Sequence, residues 1–245
     1  MSAVAARPES VDLRERVVLI TGAAGGLGAV AARAAAMAGA TVILLGRKRN
    51  KLERVYDTLA TLGPEPLLYP LDMAGASPDD YAEMASRIGS ELGRLDGVLH
   101  CAADFPGLTP LEQGDPAALA RSVHVNLTAR AWLSQACLPL LRQQQDAALV
   151  FVLDDVARVG QAYWGGYGVA QHAQHGLVTS LHRETASGGV RVVGLQPGPM
   201  RTALRARAYT HEEDLEAVEP QRYAQACVSL LSAQGIAHRG TIWRP

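Results

Sequence analysis

A cluster of glycines links the first strongly apolar run of the chain to an alanine-rich segment. The cluster reads TGAAGGLG over residues 21–28, and the alanine-rich segment follows over 29–38. Glycines permit tight turns and let backbone N–H groups approach a ligand closely, and the N-terminus of a helix attracts anions. We therefore predict that a dinucleotide pyrophosphate binds here, against Gly22, Ala24, Gly26, Leu27 and Gly28.

The second apolar run ends in positive charge. Arg47 and Lys48 follow it, so no carboxylate stands where one would accept hydrogen bonds from the adenosine ribose of NAD. A guanidinium pairs well with a 2′-phosphate, which favours NADP(H) over NAD(H) and makes Arg47 a candidate cofactor-binding residue. In the alternative interpretation, the basic residues between 47 and 51 form only a solvated start of a helix.

Other polar residues could do chemistry, but their spacing argues against a metal site. Asp154 and Asp155 are adjacent, and neighbours on a strand point to opposite faces. Since no cluster of His, Cys or Glu accompanies them, we expect no bound metal. Arg201, Arg205 and Arg207 could clamp an anionic substrate, or they could form a solvated helix flank.

Short apolar runs alternate with longer helical patterns along the chain, and these elements must position the candidate residues. The repetition predicts an α/β fold, a single Rossmann-like, doubly wound parallel sheet of about seven strands with helices on both faces. Ligands of such a sheet bind at the carboxyl ends of its strands. The predicted strands lie near 17–20, 41–45, 67–71, 96–100, 147–153, 190–195 and 240–243, and the helices near 26–38, 48–62, 79–92, 116–142, 165–187 and 220–233.

Length and composition are those of one globular unit. The chain has 245 residues, and its hydrophobic content of 48% is ample for a core. A net charge of −1 provides no electrostatic footprint for nucleic acid or an anionic membrane. We expect a single domain over 1–245, with an N-terminal extension over 1–14 and a mobile substrate-side segment over 199–219.

The three cysteines form no CxxC pair, which suits a reducing cytoplasm. Residues 1–15 lack the apolar run of a signal peptide, and we find no stretch long enough to cross a bilayer. We therefore expect a cytoplasmic protein without a nucleic acid or membrane partner. Its expected partners are the dinucleotide and a small-molecule substrate that the sequence does not identify.

The spacing of the glycine cluster resembles the TGxxxGxG motif of the short-chain dehydrogenase/reductase family. The similarity runs from about residue 14 to 243 and includes Asp72, Asn126, Tyr167, Pro197, Gly198 and Thr202. Segments 95–100 and 162–167 are most similar to a bacterial subgroup of uncharacterised oxidoreductases in that family. The resemblance implies that Asp72 lies beside the adenine and Thr202 near the nicotinamide end. Met73 and Ala102 complete the cofactor-binding residues that we expect.

The resemblance also implies hydride transfer between a nicotinamide and a substrate carbon. In the family a tyrosine exchanges the proton, a lysine four residues later lowers the pKa of that tyrosine, a serine hydrogen-bonds the substrate oxygen, and an asparagine completes the proton path. Tyr167 and Asn126 match this pattern, whereas Gln171 stands at the lysine position and Asp154 at the serine position. These four residues are our catalytic candidates.

The two exchanges affect the two reaction directions differently. Gln171 can still bind a ribose hydroxyl, but it supplies no positive charge. A tyrosine with a pKa near 10 is ionised in only about one molecule in a thousand at pH 7, so alcohol oxidation, which needs a base, should suffer most. Asp154, when ionised, repels an alkoxide-like oxygen.

Two functions follow from these residues. The first is a weak NADP(H)-dependent oxidoreductase acting on an unknown carbonyl or alcohol. The alternative is a catalytically inactive nucleotide-binding or interaction protein on the same scaffold. The resemblance further implies a homodimer or homotetramer formed through the long helices near 116–142 and 165–187, although amphipathic helices could equally cover the sheet.

Overall fold

The computed structural model describes residues 11–209 and 216–245. Seven strands form one sheet in the order β3-β2-β1-β4-β5-β6-β7, and every neighbouring pair is parallel. The predicted doubly wound sheet is thereby confirmed, and its strand order reverses between β1 and β4, where such sheets bind ligands. The strands are β1 (Val17–Thr21), β2 (Thr41–Gly46), β3 (Leu67–Pro70), β4 (Gly97–His100), β5 (Ala147–Val152), β6 (Val190–Leu195) and β7 (Ile242–Trp243).

Helices cover both faces of the sheet and create two apolar cores. The helices are α1 (Gly26–Met37), α2 (Arg49–Leu59), α3 (Pro78–Leu92), α4 (Pro116–Val123), α5 (Ala129–Leu141), α6 (Val156–Val159), α7 (Gly165–Thr185) and α8 (Ala224–Leu231). Side chains of α1, α2 and α8 pack in one core, and those of α3, α5 and α7 pack in the other. The strands are nearly continuous apolar runs because both of their faces are buried.

The element boundaries differ from the sequence prediction by a few residues in most elements, and the short helix α6 was not predicted. Three other differences have a visible structural cause or form. The predicted helix over 116–142 contains a π-helical turn, His124–Thr128, between α4 and α5. The predicted helix over 220–233 begins as a 3₁₀ turn, Pro220–Tyr223, and α8 ends at Leu231. The last strand is shortened to two residues because Gly240 adopts a φ of +74° in the turn that precedes it.

The predicted N-terminal extension is docked where the structure describes it. Leu13 is fully buried in the core against α1, and its backbone N–H donates to the carbonyl of Ala38 at 2.9 Å. Residues 1–10 of the extension lie outside the described residues. Among residues 11–209 and 216–245, no helix is both long and apolar enough to span a membrane.

The chain leaves the sheet after β6, and its returning part pairs with the outgoing part at Val218. Arg201 N–H donates to the carbonyl of Val218 at 2.9 Å, and Val218 N–H donates to the carbonyl of Pro199 at 3.0 Å. Met200 and Val218 thus form an isolated parallel bridge. Residues 210–215 of the predicted mobile segment lie outside the described residues.

Candidate active site

A cleft of about 440 Å³ opens along the carboxyl ends of β1, β2, β4 and β5. The end of β6 and the segment that follows it close one side of the cleft. All of the cofactor-binding residues predicted from the sequence line this cleft, namely Gly22, Ala24, Gly26, Leu27, Gly28, Arg47, Asp72, Met73, Ala102, Pro197, Gly198 and Thr202.

The glycine turn at the start of α1 has the geometry of an anion cradle. Gly22 has a φ of +64°, and a Cβ added there would lie 2.8 Å from the Cα of Ala102. A Cβ on Gly28 would lie 2.2 Å from the carbonyl oxygen of Gly22. Among the described residues, no side chain caps the start of α1 and no acidic residue lies in its first turn. The first N–H groups of α1 therefore suit a pyrophosphate.

Two basic side chains stand at the end of β2. Arg47 and Lys48 are exposed and line the cleft, and neither forms an ion pair within the described part of the chain. Arg49 differs, because it lies on α2 outside the cleft lining and pairs with Glu53 at 2.9 Å. Lys51 on α2 also lines the cleft, so the charge available to an adenosine phosphate comes from positions 47, 48 and 51.

The Tyr167 side chain is fixed in an aromatic wall. Its ring centroid lies 5.2 Å from that of Phe105 and 5.9 Å from that of Trp164, and the residue is almost fully buried. The phenol O–H donates to Asp154 Oδ2 at 2.9 Å. Burial and then the Asp154 charge raise the pKa of Tyr167 well above its ordinary value. The phenol therefore keeps its proton at neutral pH.

Asp154 is held between the phenol and a cation. Arg158, one turn along α6, forms an ion pair with Oδ1 of Asp154. Burial lowers the pKa of Arg158, but Asp154 and Tyr209 together outweigh burial, so the pKa of Arg158 is raised on balance. Asp155 has a different task, since its carboxylate accepts from Ala157 N–H at 3.0 Å and caps α6. The two adjacent aspartates thus serve separate functions.

Gln171 lies one turn after Tyr167 on α7 and lines the cleft. It is almost fully buried, and its Oε1 accepts from the backbone N–H of Asp154 at 3.0 Å. The side-chain oxygen is thus engaged with the protein. Its Nε2 group is the part of the amide that remains for a ribose hydroxyl.

Asn126 is the one predicted catalytic residue that does not line the cleft among the described residues. It lies fully buried in the π-helical turn, and its Nδ2 donates to the carbonyls of Asp104 at 2.6 Å and Ser122 at 2.7 Å. Its Oδ1 accepts from Asp104 N–H at 3.1 Å. Asn126 therefore fixes the backbone that forms the cleft wall after β4.

The sequence prediction missed three arginines that line the cleft, Arg121, Arg130 and Arg158. The ion pair of Arg158 could have been predicted from the sequence, because Arg158 follows Asp154 by four residues, which is the spacing of ion pairs along a helix. Arg130 could not have been predicted in this way, since a single arginine in an amphipathic helix is ordinarily a surface residue. It lines the cleft and is 1% exposed.

The three arginines that could clamp an anionic substrate do not all line the cleft. Arg205 and Arg207 line the cleft, and Arg207 Nη1 donates to the carbonyl of Phe105 at 2.5 Å. Arg201 lies off the cleft lining and pairs with Glu219 at 3.5 Å, so it does not join them in a clamp. Among the described residues, no group of three or more His, Cys, Asp or Glu could hold a metal ion.

The family is shown by a model described as short chain dehydrogenase, which matches residues 16–213. The chain belongs to the short-chain dehydrogenase family, and it is an oxidoreductase of that family. It is similar to the uncharacterized oxidoreductase YciK of Escherichia coli strain K12, with 36% identity over 208 residues that cover 84% of this chain and 82% of that protein.

Two solved structures share the fold at similar identity. A short chain dehydrogenase from Shigella flexneri 2a, complexed with NADP, has a TM-score of 0.91 and 32% identity and covers 96% of this chain and 99% of its own. A short chain dehydrogenase from Escherichia coli CFT073, complexed with NADPH, has a TM-score of 0.91 and 34% identity and covers 97% of this chain and 99% of its own.

Proposed function

We propose that this chain is an NADP(H)-dependent reductase that converts a carbonyl substrate to an alcohol, with Tyr167 as the proton donor. The observation that carries this proposal is the phenol of Tyr167, which donates to Asp154 Oδ2 at 2.9 Å and lines the same cleft as the glycine turn of α1. When bound, NADPH supplies the hydride. Tyr167 supplies the proton to the substrate oxygen.

The preference for the phosphorylated coenzyme rests on the end of β2. Arg47 and Lys48 are exposed cations on the cleft, and a guanidinium forms charge-assisted hydrogen bonds with a phosphate. The two solved structures described above hold NADP and NADPH. We infer that Arg47 and Lys48 bind the 2′-phosphate.

The direction of reaction follows from the state of the phenol. Reduction uses the neutral form of Tyr167, which burial and the Asp154 charge favour. Oxidation needs the phenolate, which the same two effects disfavour. The O–H must turn from Asp154 to the substrate before it transfers its proton. We therefore expect slow turnover in the direction of reduction, with Gln171 as ribose ligand and Asn126 supporting the cleft wall.

Three further expectations from the sequence are also part of the proposal. We propose that residues 1–245 act as one domain in the cytoplasm. We also propose a homodimer or homotetramer that pairs α5 and α7 of neighbouring copies. Sedimentation of the purified full chain tests the last point, because a monomer at micromolar concentration would contradict it.

The decisive experiment is a binding titration of the full chain with NADPH and NADH, followed by nucleotide fluorescence. A charged hydrogen bond contributes about 1.5–3 kcal/mol, so Arg47→Ala should weaken NADPH binding about 10- to 100-fold and leave NADH binding unchanged. Arg49→Ala is the matched control, since Arg49 lies outside the cleft lining. Equal affinity of the wild type for both coenzymes would contradict the proposal.

Turnover separates a reductase from a non-catalytic nucleotide-binding protein. NADPH consumption is measured with a panel of aldehydes, ketones and quinones. We expect slow consumption that Tyr167→Phe abolishes, because phenylalanine has no proton to give. If NADPH binds and no member of the panel is reduced, the chain is a binding protein on this scaffold.

A further inference from the structure

Arg130 places a guanidinium between two strand ends and a helix. Its Nη1 donates to the carbonyl of Val152, at the end of β5, at 2.9 Å and to Oε1 of Gln174 on α7 at 2.5 Å. Its Nη2 donates to the carbonyl of Ala102, after β4, at 2.5 Å. The guanidinium therefore belongs to a residue that lines the cleft, and it is hydrogen-bonded to the helix that carries Tyr167.

The charge of Arg130 has no counter-ion among the described residues. All three acceptors are neutral, and Nε has no hydrogen-bond partner in the described part of the chain. Burial lowers the pKa of Arg130, yet a guanidinium keeps its proton in proteins, so the side chain is charged also where a tyrosine ionises. Burying an ion without an opposite charge is costly, and a neutral amide could donate to the same carbonyls. A purely structural tie between sheet and helix does not need this cation.

The reaction centre lacks a cation at the position where its family has one. Gln171 is neutral, and Arg158 is paired with Asp154. Arg130 lines the same cleft as Gln171 and Tyr167, and Gln174, which accepts from it, lies on the same helix as both. We propose that Arg130 supplies the positive charge that Gln171 lacks and stabilises the phenolate of Tyr167 when the proton leaves.

This inference rests on the proposed reduction and specifies how its proton step is supported. The substrate carbon gains the hydride from the reduced nicotinamide, and the substrate oxygen gains the Tyr167 proton as the phenol O–H bond breaks. The phenolate that remains carries one negative charge until it takes a proton from water. Arg130 acts through Tyr167 and is therefore a positioning residue.

The ionisation of Tyr167 depends on all charges on the surrounding elements. Among the described residues that line the cleft around it, these are Asp154 after β5, Arg158 on α6, Arg130 on α5, Asp104 after β4 with its partner Arg121 on α4, and Arg205 and Arg207 after β6. Asp154 and Arg130 oppose each other in this set, since the first raises and the second lowers the pKa of Tyr167. The effect of Arg130 is therefore best measured after Asp154 has been neutralised.

The test is the pKa of Tyr167 in the full chain, read from tyrosinate absorbance after rapid pH jumps. Subtracting the corresponding Tyr167→Phe protein isolates this one phenol. In the Asp154→Ser background, we expect Arg130→Met to raise the pKa of Tyr167 by about one unit or more, the shift that loss of a nearby opposite charge produces. Arg130→Lys in the same background keeps a positive charge, so the Tyr167 pKa should stay close to that of the Asp154→Ser protein.

Two further variants separate the charge from the packing. Arg130→Met combined with Gln174→Leu replaces both buried polar side chains by apolar ones, so that no unpaired Gln174 amide is left behind. The carbonyls of Val152 and Ala102 lose their donor in this protein, so its folding is checked by circular dichroism, and we expect the folded protein still to show the raised Tyr167 pKa. When Arg130→Ala is made in the Asp154→Ser background, millimolar guanidinium ion should restore the Tyr167 pKa of the Asp154→Ser protein. Urea, which has nearly the same shape and no charge, should not restore it.

An unchanged Tyr167 pKa in a folded Arg130→Met protein would overturn the proposal, as would equal rescue by urea. Neither measurement uses a coenzyme or a substrate. Failure of this inference is therefore distinguishable from failure of the proposed reductase, which the NADPH titration and the turnover panel test. If the pKa responds as expected and no NADPH is consumed, the electrostatic role of Arg130 stands without the reaction.

Discussion

The exchange of Asp154 for serine should accelerate carbonyl reduction by this protein. In the wild type, the Tyr167 O–H is engaged by Asp154 Oδ2 at 2.9 Å, and Arg158 holds that carboxylate in place. A substrate oxygen must compete for the same proton. Asp154→Ser removes the competing acceptor and places a hydroxyl donor where charge develops on the substrate.

The magnitude follows from the two effects. A hydrogen bond to a charged group contributes about 1.5–3 kcal/mol, which must be given up before Tyr167 turns to the substrate. A preorganised donor to a developing oxyanion contributes about 2.7–4 kcal/mol. The two do not add, because they act on the same group. We therefore expect an increase in kcat of roughly 100-fold, from a barrier lowered by about 2.7 kcal/mol.

The assay is NADPH consumption across the carbonyl panel, with NADPH affinity measured alongside. Asp155→Ser is the matched control, since Asp155 caps α6 and serine also serves as an N-cap. We expect the control to keep the wild-type rate. If Asp154→Ser reduces no substrate faster than the wild type while NADPH affinity is unchanged, the carboxylate is not what slows the reaction.

Two other predictions concern the cradle and the sheet. Gly28→Ala should abolish NADPH binding or prevent folding, because its Cβ would lie 2.2 Å from the carbonyl oxygen of Gly22. A coenzyme titration measures binding, and circular dichroism measures folding. Gly75→Ala is the control and should bind NADPH normally, because no atom would lie within 4 Å of its Cβ. His100 is fully buried, and burial lowers its pKa well below the usual 6.5. The unfolded chain therefore binds a proton that the folded protein does not, and the free energy of unfolding should fall by up to about 1.4 kcal/mol for each pH unit below 6.5. Urea melts measured across this pH range should show that the free energy of unfolding of His100→Asn falls less steeply than that of the wild type. An equally steep fall in both proteins would contradict this assignment.

The sequence was sufficient to predict the fold because its strongest signals are local. Apolar runs of the β1 kind are buried on both faces and so carry no polar alternation, and TGAAGGLG has few other structural uses. The boundaries were less predictable where backbone geometry decides them. The π-helical turn around Asn126 and the positive φ of Gly240 leave no periodic signature in the residues.

The candidate site was predictable only where its residues belong to a motif. Tyr167, Gln171 and Asp154, which the family resemblance indicated, line one cleft. The ion pair of Asp154 with Arg158 could have been predicted from the helical spacing of the two residues. The burial of Arg130 could not, because it depends on carbonyls of two strands that are distant in sequence.

The bridge between Met200 and Val218 brings the outgoing and returning chain together at one point. A loop tied at its base in this way can change length or composition while the strands beneath it keep their register. Thr202 lies within this stretch, and its side chain abuts Gly26 of the glycine turn, so Thr202 belongs to the nucleotide half of the protein. New substrates could therefore be accommodated by replacing the stretch between Thr202 and Val218 as a cassette, with the nucleotide half of the protein inherited intact.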